Sequence, residues 1–200
     1  MNQEFLITIS QEKLSRDLQE IFNDYYYLGI FQKYGSCCFA ITDLLTRTLK
    51  QKGYSARIQA CGCKLLQENV QYFLGYPGYS KKNQVEGHVV CIVNEHYVID
   101  FGLGNIRKYY DHGFYRAIAC DLVDEGEILA KLNTQAGARV VWEVKWVNPA
   151  IERELEMQDE IVQKIFRQLE HYQENRIKYS VRKAWPKAQG KPVIAMQRSL

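Results

Sequence analysis

Three side chains with complementary chemistry follow one another in the first half of the chain. Cys38 begins an amphipathic segment, His88 opens an apolar run, and Asp100 closes the next apolar run. A thiol becomes a strong nucleophile when a neighbouring base takes its proton, and a carboxylate can fix the tautomer of that base. We therefore expect a thiol enzyme in which Cys38 attacks, His88 is the base and Asp100 orients the imidazole.

The segment that begins at Cys38 is predicted to be a helix that ends near Gly53, with Ser36 as its N-cap. Its apolar residues recur at helical spacing, at Ile41, Leu45 and Leu49. A thiol in the first helical turn lies at the positive end of the helix dipole, beside N–H groups that can bind an oxyanion. Cys37 is adjacent, so the sequence alone leaves open which thiol is the nucleophile. Packing is the alternative role for either.

His88 and Asp100 are expected on neighbouring strands. Two short apolar runs, 88–93 and 97–101, are separated by residues 94–96, which is the spacing of a β-hairpin. In such a hairpin residue i lies opposite about 190 − i, which puts Asp100 within reach of His88 on a diagonal. The other histidines, His96, His112 and His171, are predicted to lie on the surface.

The remaining pattern predicts an α+β fold. A helix is expected over 11–30, strands over 56–66 and 140–147, and a loop or strand end over 70–80. A long amphipathic helix is expected from Pro149, with acids near its start. Its apolar face is predicted to carry Ile151, Leu155, Ile161, Ile165, Phe166 and Leu169. The helix of the nucleophile would then pack on an antiparallel sheet that supplies the base and the acid, with flanking helices.

At these residues the chain resembles enzymes with the papain-like thiol fold, among them transglutaminases and arylamine N-acetyltransferases. In the acetyltransferase pattern a His begins one strand and Asp-x-Gly-x-Gly closes the next, and the stretch from His88 to Asp100-Phe-Gly-Leu-Gly is similar to it. Gly35-Ser-Cys-Cys-Phe is similar to that family's glycine pair, spacer, Cys and aromatic residue, although Ser36 replaces the second Gly.

Two further likenesses favour Cys38 as the nucleophile. Transglutaminase-like proteins have a helix from the nucleophile to a Gly, followed by an Ala-Arg pair. Cys38 and Gly53 match that register, whereas Cys37 is one residue out. Papain-like peptidases place a Gln six residues before the Cys and an aromatic residue after it, as Gln32 and Phe39 are placed here. The resemblance implies a papain-like (transglutaminase-like) fold, a Cys-His-Asp triad and Gln32 as an oxyanion donor.

The composition is that of a globular protein with reduced thiols. The 200 residues are 46% hydrophobic and 24% charged, which suits one domain with a core. We find no apolar run long enough for a membrane span or a signal peptide. The six cysteines include no CxxC pair typical of zinc or redox sites. We therefore expect a cytoplasmic protein that needs no metal or other cofactor.

Charge is distributed unevenly along the chain. The net charge is +3, yet residues 176–200 hold seven Lys or Arg and no acid. The first 175 residues hold the other 19 basic residues and all 23 acidic ones, a net charge of −4. This acidic body argues against nucleic acid as the main ligand. The basic end is either a solvated terminus or a site for an anionic partner.

We expect a catalytic domain over 1–148, an amphipathic helix over 149–180 packed on or extending it, and a basic C-terminal arm over 181–200. The expected function is hydrolysis of an amide, peptide or isopeptide bond through an acyl-enzyme, with a peptide, protein or small amide as substrate. One alternative is an acyltransferase that moves the acyl group to an amine, which the Asp-Phe-Gly-Leu-Gly turn favours. Another is an inactive fold that serves as an interaction module.

Overall fold

The computed structural model describes residues 4–68, 70–78, 85–123, 125–135, 137–145 and 147–188, with side chains as far as residue 176. These residues form five helices and eight strands, so the predicted α+β class is confirmed. The helices are α1 (Glu12–Tyr27), α2 (Ile30–Tyr34), α3 (Cys38–Gln51), α4 (Gly104–Tyr109) and α5 (Ile151–Ala188). The strands are β1 (Phe5–Ile7), β2 (Ala56–Gln67), β3 (Val70–Leu74), β4 (His88–Val93), β5 (Tyr97–Asp100), β6 (Ala117–Asp121), β7 (Ile128–Asn133) and β8 (Arg139–Glu143).

The curled sheet is organised around the long strand β2. The first half of β2 pairs with β4, and the second half pairs with β8 on one side and β3 on the other. The strand order is β1-β6-β5-β4-β2-β8-β7, with β3 beside β2. Among the described pairs only β1 and β6 run parallel. The pairing of β2 changes between Cys61, the last residue paired with β4, and Gly62, the first residue paired with β8.

The helices α1 and α3 form where the apolar spacing predicts them. α1 buries Leu14, Leu18 and Ile21 and ends before Gly29, whose φ of 71° lies in the left-handed region. α3 ends at Gln51, shortly before Gly53 with a φ of 88°. Both terminations use a glycine because other residues adopt positive φ at a cost.

The hairpin of β4 and β5 has the predicted register. Cys91 lies opposite Ile99 and Val93 opposite Tyr97. β2 confirms the strand expected after Gly53. β3 and β8 occupy parts of the segments 70–80 and 140–147.

The sequence pattern does not predict β1, β6, β7 or α4. β1 has three residues, which is too short for a periodic pattern. β6 reads Ala-Ile-Ala-Cys-Asp, and its first four residues are all buried, so it shows no alternation of apolar and polar side chains. Its place between β1 and β5 explains that burial.

An aromatic cluster holds the end of β5 in place. Phe101, which directly follows Asp100, is fully buried. Its ring centroid lies 5.3 Å from that of Phe5, 5.5 Å from that of Phe31 and 5.9 Å from that of Tyr25. Such contacts add to the free energy of burial, so the backbone after Asp100 is well fixed.

The chain divides into two compact units, residues 1–166 and 167–200. The first unit thus includes the beginning of α5 as well as the predicted catalytic domain. There α5 buries Ile151, Val162 and Ile165. Ile161 was predicted on this face, but its side chain is 42% exposed. Val162 is buried instead, because it lies close to three full turns from Ile151.

The second unit contains the rest of α5. This helix continues through Ala188, so the boundary predicted at residue 180 is wrong and the first part of the predicted arm is helical. Lys, Arg and Ala are good helix formers, and they make up half of the stretch 177–188. Residues 189–200 of the predicted arm lie outside the described residues. None of the described helices is long and apolar enough to cross a membrane.

Candidate active site

Cys38 is the first residue of α3, and this helix is hydrogen bonded to β4. Thr42, one turn further along, donates from its hydroxyl to the carbonyl oxygen of Val89 at 3.1 Å. The Cys38 thiol lies 3.8 Å from the carbonyl oxygen of Gly87, directly before β4. The helix of the predicted nucleophile therefore faces the strand that begins with His88.

The start of α3 differs from the prediction in one respect. Cys37 occupies the N-cap position, so the prediction that Ser36 caps the helix is wrong. Backbone groups before the helix bond to the beginning of α4 instead. Gly104 donates its N–H to the carbonyl oxygen of Gly35 at 3.0 Å, and Asn105 Nδ2 donates to that of Ser36 at 3.2 Å.

His88 opens β4 opposite Cys61 of β2, and its side chain is 1% exposed. Gly75, at the turn after β3, lies directly against it. A Cβ on Gly75 would stand 2.6 Å from the backbone nitrogen of His88 and 2.9 Å from its Cβ. Gly75 also has a φ of 77°, so this turn requires glycine and fixes the backbone of the histidine.

Asp100 ends β5 and accepts three hydrogen bonds. Its Oδ2 lies 2.8 Å from His88 Nε2 and accepts a second bond, also 2.8 Å long, from Trp142 Nε1. Its Oδ1 accepts the N–H of Gly102 at 2.8 Å. Its contacts let Asp100 both start the turn at Gly102 and position the imidazole. The diagonal contact predicted from the hairpin register is confirmed.

The imidazole of His88 also lies close to the Cys38 thiol, and the interaction between them raises the pKa of the histidine. Cys38 Cβ and His88 Cε1 lie 2.6 and 3.2 Å from one point, the position of a Cβ on Gly102. A side chain at residue 102 would force the two groups apart. Because Nε2 faces Asp100, Nδ1 is the ring nitrogen left for the thiol. Cys38, His88 and Asp100 thus form a continuous line of contacts.

The electrostatics of the site favour a charged imidazole. Burial disfavours the imidazolium, but the Asp100 carboxylate and the contact with Cys38 outweigh it and raise the pKa of His88 to about 10. The ring therefore carries its proton at neutral pH. A positive charge against the sulfur is the setting in which a cysteine is nucleophilic.

The other five cysteines have no such setting. Burial raises the pKa of Cys37, and it raises that of Cys61 and Cys63 well above the ordinary value. It raises the pKa of Cys91 to about 11 and that of Cys120 to about 12. All five resist ionisation near neutral pH, which distinguishes their chemistry from that of a thiol beside an imidazolium.

An apolar layer covers the site. Cys38 is 8% exposed and belongs to a buried cluster with Phe39, Val89 and Ile151. A Cβ on Gly87 would lie 2.9 Å from Ile151 Cγ1 and 3.2 Å from Phe39 Cζ. The first turn of α5 therefore closes one side of the site, where the low dielectric strengthens the interaction between charges.

The Gln32 side chain has no described contact with Cys38, His88 or Asp100. It is exposed in the middle of α2, whose end precedes Cys38. Its Oε1 is 3.9 Å from the position of a Cβ on Gly29, at the beginning of α2. Its role as an oxyanion donor stays a prediction. The backbone N–H groups in the first turn of a helix lack partners within the helix, and here those of Phe39 and Ala40 interact with the thiol of Cys37.

Sequence reasoning missed several residues that form the site. Trp142 lies in the predicted strand 140–147, where its inward position could be read from the alternation but its bond to Asp100 could not. Gly102 was taken as part of a turn, and the spacing from Asp100 is that of an Asx-turn. Gly75 and Ile151 come from distant segments, and no sequence pattern around them indicated a place in the site. The histidines predicted at the surface, His96, His112 and His171, are exposed.

Among the described residues no group of His, Cys, Asp or Glu could hold a metal ion. Comparison of the chain with protein-family models, with curated proteins and with solved structures finds no match. Any functional conclusion therefore depends on the geometry of the site.

Proposed function

We propose that this chain is a cysteine hydrolase that cleaves an amide, peptide or isopeptide bond through an acyl-enzyme, on a papain-like (transglutaminase-like) framework. The observation that supports this most is the line of contacts from the Cys38 thiol through the His88 imidazole to the Asp100 carboxylate. A nucleophile, a base in contact with it and a third group that orients the base are the parts required for covalent catalysis.

In the resting site His88 holds a proton, because its pKa is about 10, and the form of Cys38 that reacts is the thiolate. The thiolate attacks the substrate carbonyl carbon, a C–S bond forms, and the carbonyl electrons move to oxygen. N–H groups in the first turn of α3, including that of Cys38, stabilise the oxyanion. Collapse breaks the C–N bond, and His88 gives its proton to the departing amine.

Deacylation reverses the roles. His88, now neutral, takes a proton from water, and the resulting hydroxide attacks the thioester carbonyl carbon. The C–S bond breaks, a carboxylic acid leaves, and the proton held by His88 restores the ion pair with Cys38. Asp100 keeps the imidazole oriented throughout, because its own position is fixed by the N–H groups of Trp142 and Gly102.

Acyl transfer to an amine is the second candidate. Its specific support is the apolar cover over the thiol, with Cys38 8% exposed and His88 1% exposed, which restricts the access of water. The Asp-Phe-Gly-Leu-Gly turn also lies against the nucleophile through Gly102. An amine would replace water in the second step, and an amide would be the product.

Acylation with 4-nitrophenyl acetate tests the proposal. We expect a burst of nitrophenolate and a single acetyl group on Cys38 by peptide mass spectrometry. Cys38→Ala should abolish the burst, and Cys37→Ala, the matched neighbour, should retain most of it. Loss of the burst in Cys37→Ala alone would assign the nucleophile to the other thiol. Acetylation of no cysteine would leave the inactive interaction module as the conclusion.

Competition between water and methylamine for the acetyl-enzyme then separates the two reactions. Acetate as the main product supports hydrolysis, and N-methylacetamide at millimolar amine supports transfer.

A further inference from the structure

The described residues enclose a cavity of about 220 Å³. It is lined by Gly75, Pro77, Glu86, Val147, Asn148 and Pro149. Sites for whole small molecules have volumes of roughly 300–1,000 Å³. The cavity is smaller than these, so it suits one side chain of a larger substrate.

Two parts of the cavity wall adjoin the triad. Gly75 packs on the backbone of His88. Glu86 is next to Gly87, whose carbonyl oxygen is 3.8 Å from the Cys38 sulfur. Neighbouring Cα atoms are about 3.8 Å apart, so the wall at Glu86 lies one residue beyond the group that contacts the sulfur. A side chain next to a carbonyl bound to Cys38 can reach it.

The wall at Gly75 is held in place. Tyr76 is 6% exposed, and its hydroxyl donates to Glu143 Oε2 at 2.8 Å. Its ring lies on β2, where a Cβ on Gly62 would come within 2.5 Å of it. The Glu143 carboxylate is paired with Lys64 as well. The cavity is therefore preformed on this side.

The chemistry of the wall selects a cationic ligand. Glu86 is the one charged residue among the described residues that line the cavity, and its Oε1 accepts the N–H of Gly78 at 2.9 Å. That bond fixes the orientation of the carboxylate. Pro77, Val147 and Pro149 give an apolar surface beside it. An aliphatic stem with a charged end fits such a surface, because the stem packs while the end pairs with the acid.

We propose that this cavity binds a Lys or Arg side chain of the substrate, next to the carbonyl that Cys38 attacks. This inference rests on the proposed function of Cys38, because it specifies the substrate residue beside the bond that Cys38 would attack.

Two irreversible probes that differ only in the ε-ammonium group test it, Nα-acetyl-lysyl and Nα-acetyl-norleucyl chloromethyl ketone, in which the Cys38 sulfur displaces chloride from the methylene carbon. The lysyl probe should label Cys38 about tenfold faster, the low end of what a hydrogen bond to a charged group contributes. In Glu86→Gln, which keeps an acceptor for Gly78, the ratio of the two rates should fall to about one. Glu95→Gln is the matched control at the far end of β4 and should keep the ratio.

The possible results separate the two proposals when iodoacetamide labelling of Cys38 is measured on the same protein. Equal rates for the two probes, or a preference that survives Glu86→Gln, overturn the cationic cavity. So does reaction of Cys38 with iodoacetamide but with neither ketone. If Cys38 fails to react with iodoacetamide as a thiolate, the proposed function itself fails and this inference falls with it.

Discussion

Asp100 receives two N–H donors besides the ring of His88, and this governs how the triad is held. Trp142 and Gly102 bind one carboxylate oxygen each. A carboxylate fixed from both sides can keep the imidazole in one orientation, which is the role of the third member of such a triad. Trp142 touches neither the sulfur nor a substrate atom in this arrangement, so it is a positioning residue.

Replacing Trp142 with Phe tests that role. The ring volume is largely kept while the N–H to Asp100 is lost, so we expect a loss of about 1–3 kcal/mol in the free energy of unfolding. The acylation rate constant at saturating 4-nitrophenyl acetate should fall about tenfold, with little change in the concentration that gives half the maximal rate. An acylation rate that is unchanged in the folded variant would mean that Trp142 only packs.

The raised pKa of His88 predicts how stability depends on pH. The ordinary pKa is 6.5 and the folded one about 10, so the folded state binds the proton more tightly. This contribution is fully present below about pH 6.5 and is lost as the pH rises towards 10. Urea unfolding of the wild type and His88→Gln should therefore differ most near pH 6 and least near pH 10. A difference that grows with pH would show that the folded ring is neutral.

The sequence predicted the three residues that meet at the candidate site but not the groups that support them. Cys38, His88 and Asp100 lie at the ends of segments with a strong apolar pattern, so few other residues nearby were candidates for the same roles. Trp142 and Gly75 reach the site only through strand pairing, since β8 and the turn after β3 meet β2 far along the chain. Local patterns carry no information about such long-range contacts.

At the scale of elements, the position of α3 on β4 sets the geometry of the site. Thr42 bonds to Val89, and Thr46 donates to the sulfur of Cys91 at 3.4 Å, so successive turns of the helix are fixed to alternate residues of the strand. Both elements were predicted because their apolar periodicity is strong. β6 was not, because burial on both faces removes the alternation on which the prediction depends.

Arg47 of α3 is paired with one acid in its own helix and with one acid of α5, the helix whose first turn covers the thiol. Arg47 forms two bonds to Asp43, of 3.0 and 2.9 Å, and a bond of 2.5 Å to Asp159. Asp43 is 12% exposed and Asp159 46% exposed at the side chain. The two ion pairs should therefore contribute different amounts to the free energy of unfolding.

Arg47→Met should lower the free energy of unfolding by roughly 1–3 kcal/mol, because it leaves the largely buried Asp43 carboxylate without its partner. Asp159→Asn should cost only about 0–1 kcal/mol, the range of exposed ion pairs. Urea denaturation of both variants measures this order. Equal losses would mean that the contact between α3 and α5, rather than the enclosed pair within α3, carries the energy.

At the scale of the whole molecule, charge is separated along the sequence. The net −4 of the first 175 residues contrasts with the seven positive charges of residues 176–200. A long helix occupies the first part of that basic stretch. We propose that the basic end serves an anionic partner rather than the catalytic unit.

Deleting residues 181–200 tests this division. The midpoint of thermal unfolding and the labelling rate of Cys38 should stay nearly unchanged, because the described contacts of the site all lie within the first unit. Binding of the full chain to vesicles with anionic lipid should weaken steeply between low and moderate salt, since exposed charges are screened over about 10 Å at 0.1 M. A large fall in either the midpoint or the labelling rate would give the segment a structural role.

The central claim is that the sulfur of Cys38 forms an ion pair with His88, and the ratio of iodoacetamide labelling rates at pH 6 and pH 8 tests it most directly. The access of iodoacetamide to the thiol is the same at both pH values, so it does not affect this ratio. A thiol of ordinary pKa, about 8.5, reacts roughly 75-fold more slowly at pH 6, because only the thiolate is alkylated. We predict nearly equal rates at the two pH values for Cys38 and a return to the ordinary ratio in His88→Ala. An ordinary ratio for Cys38 in the wild-type protein would contradict the account.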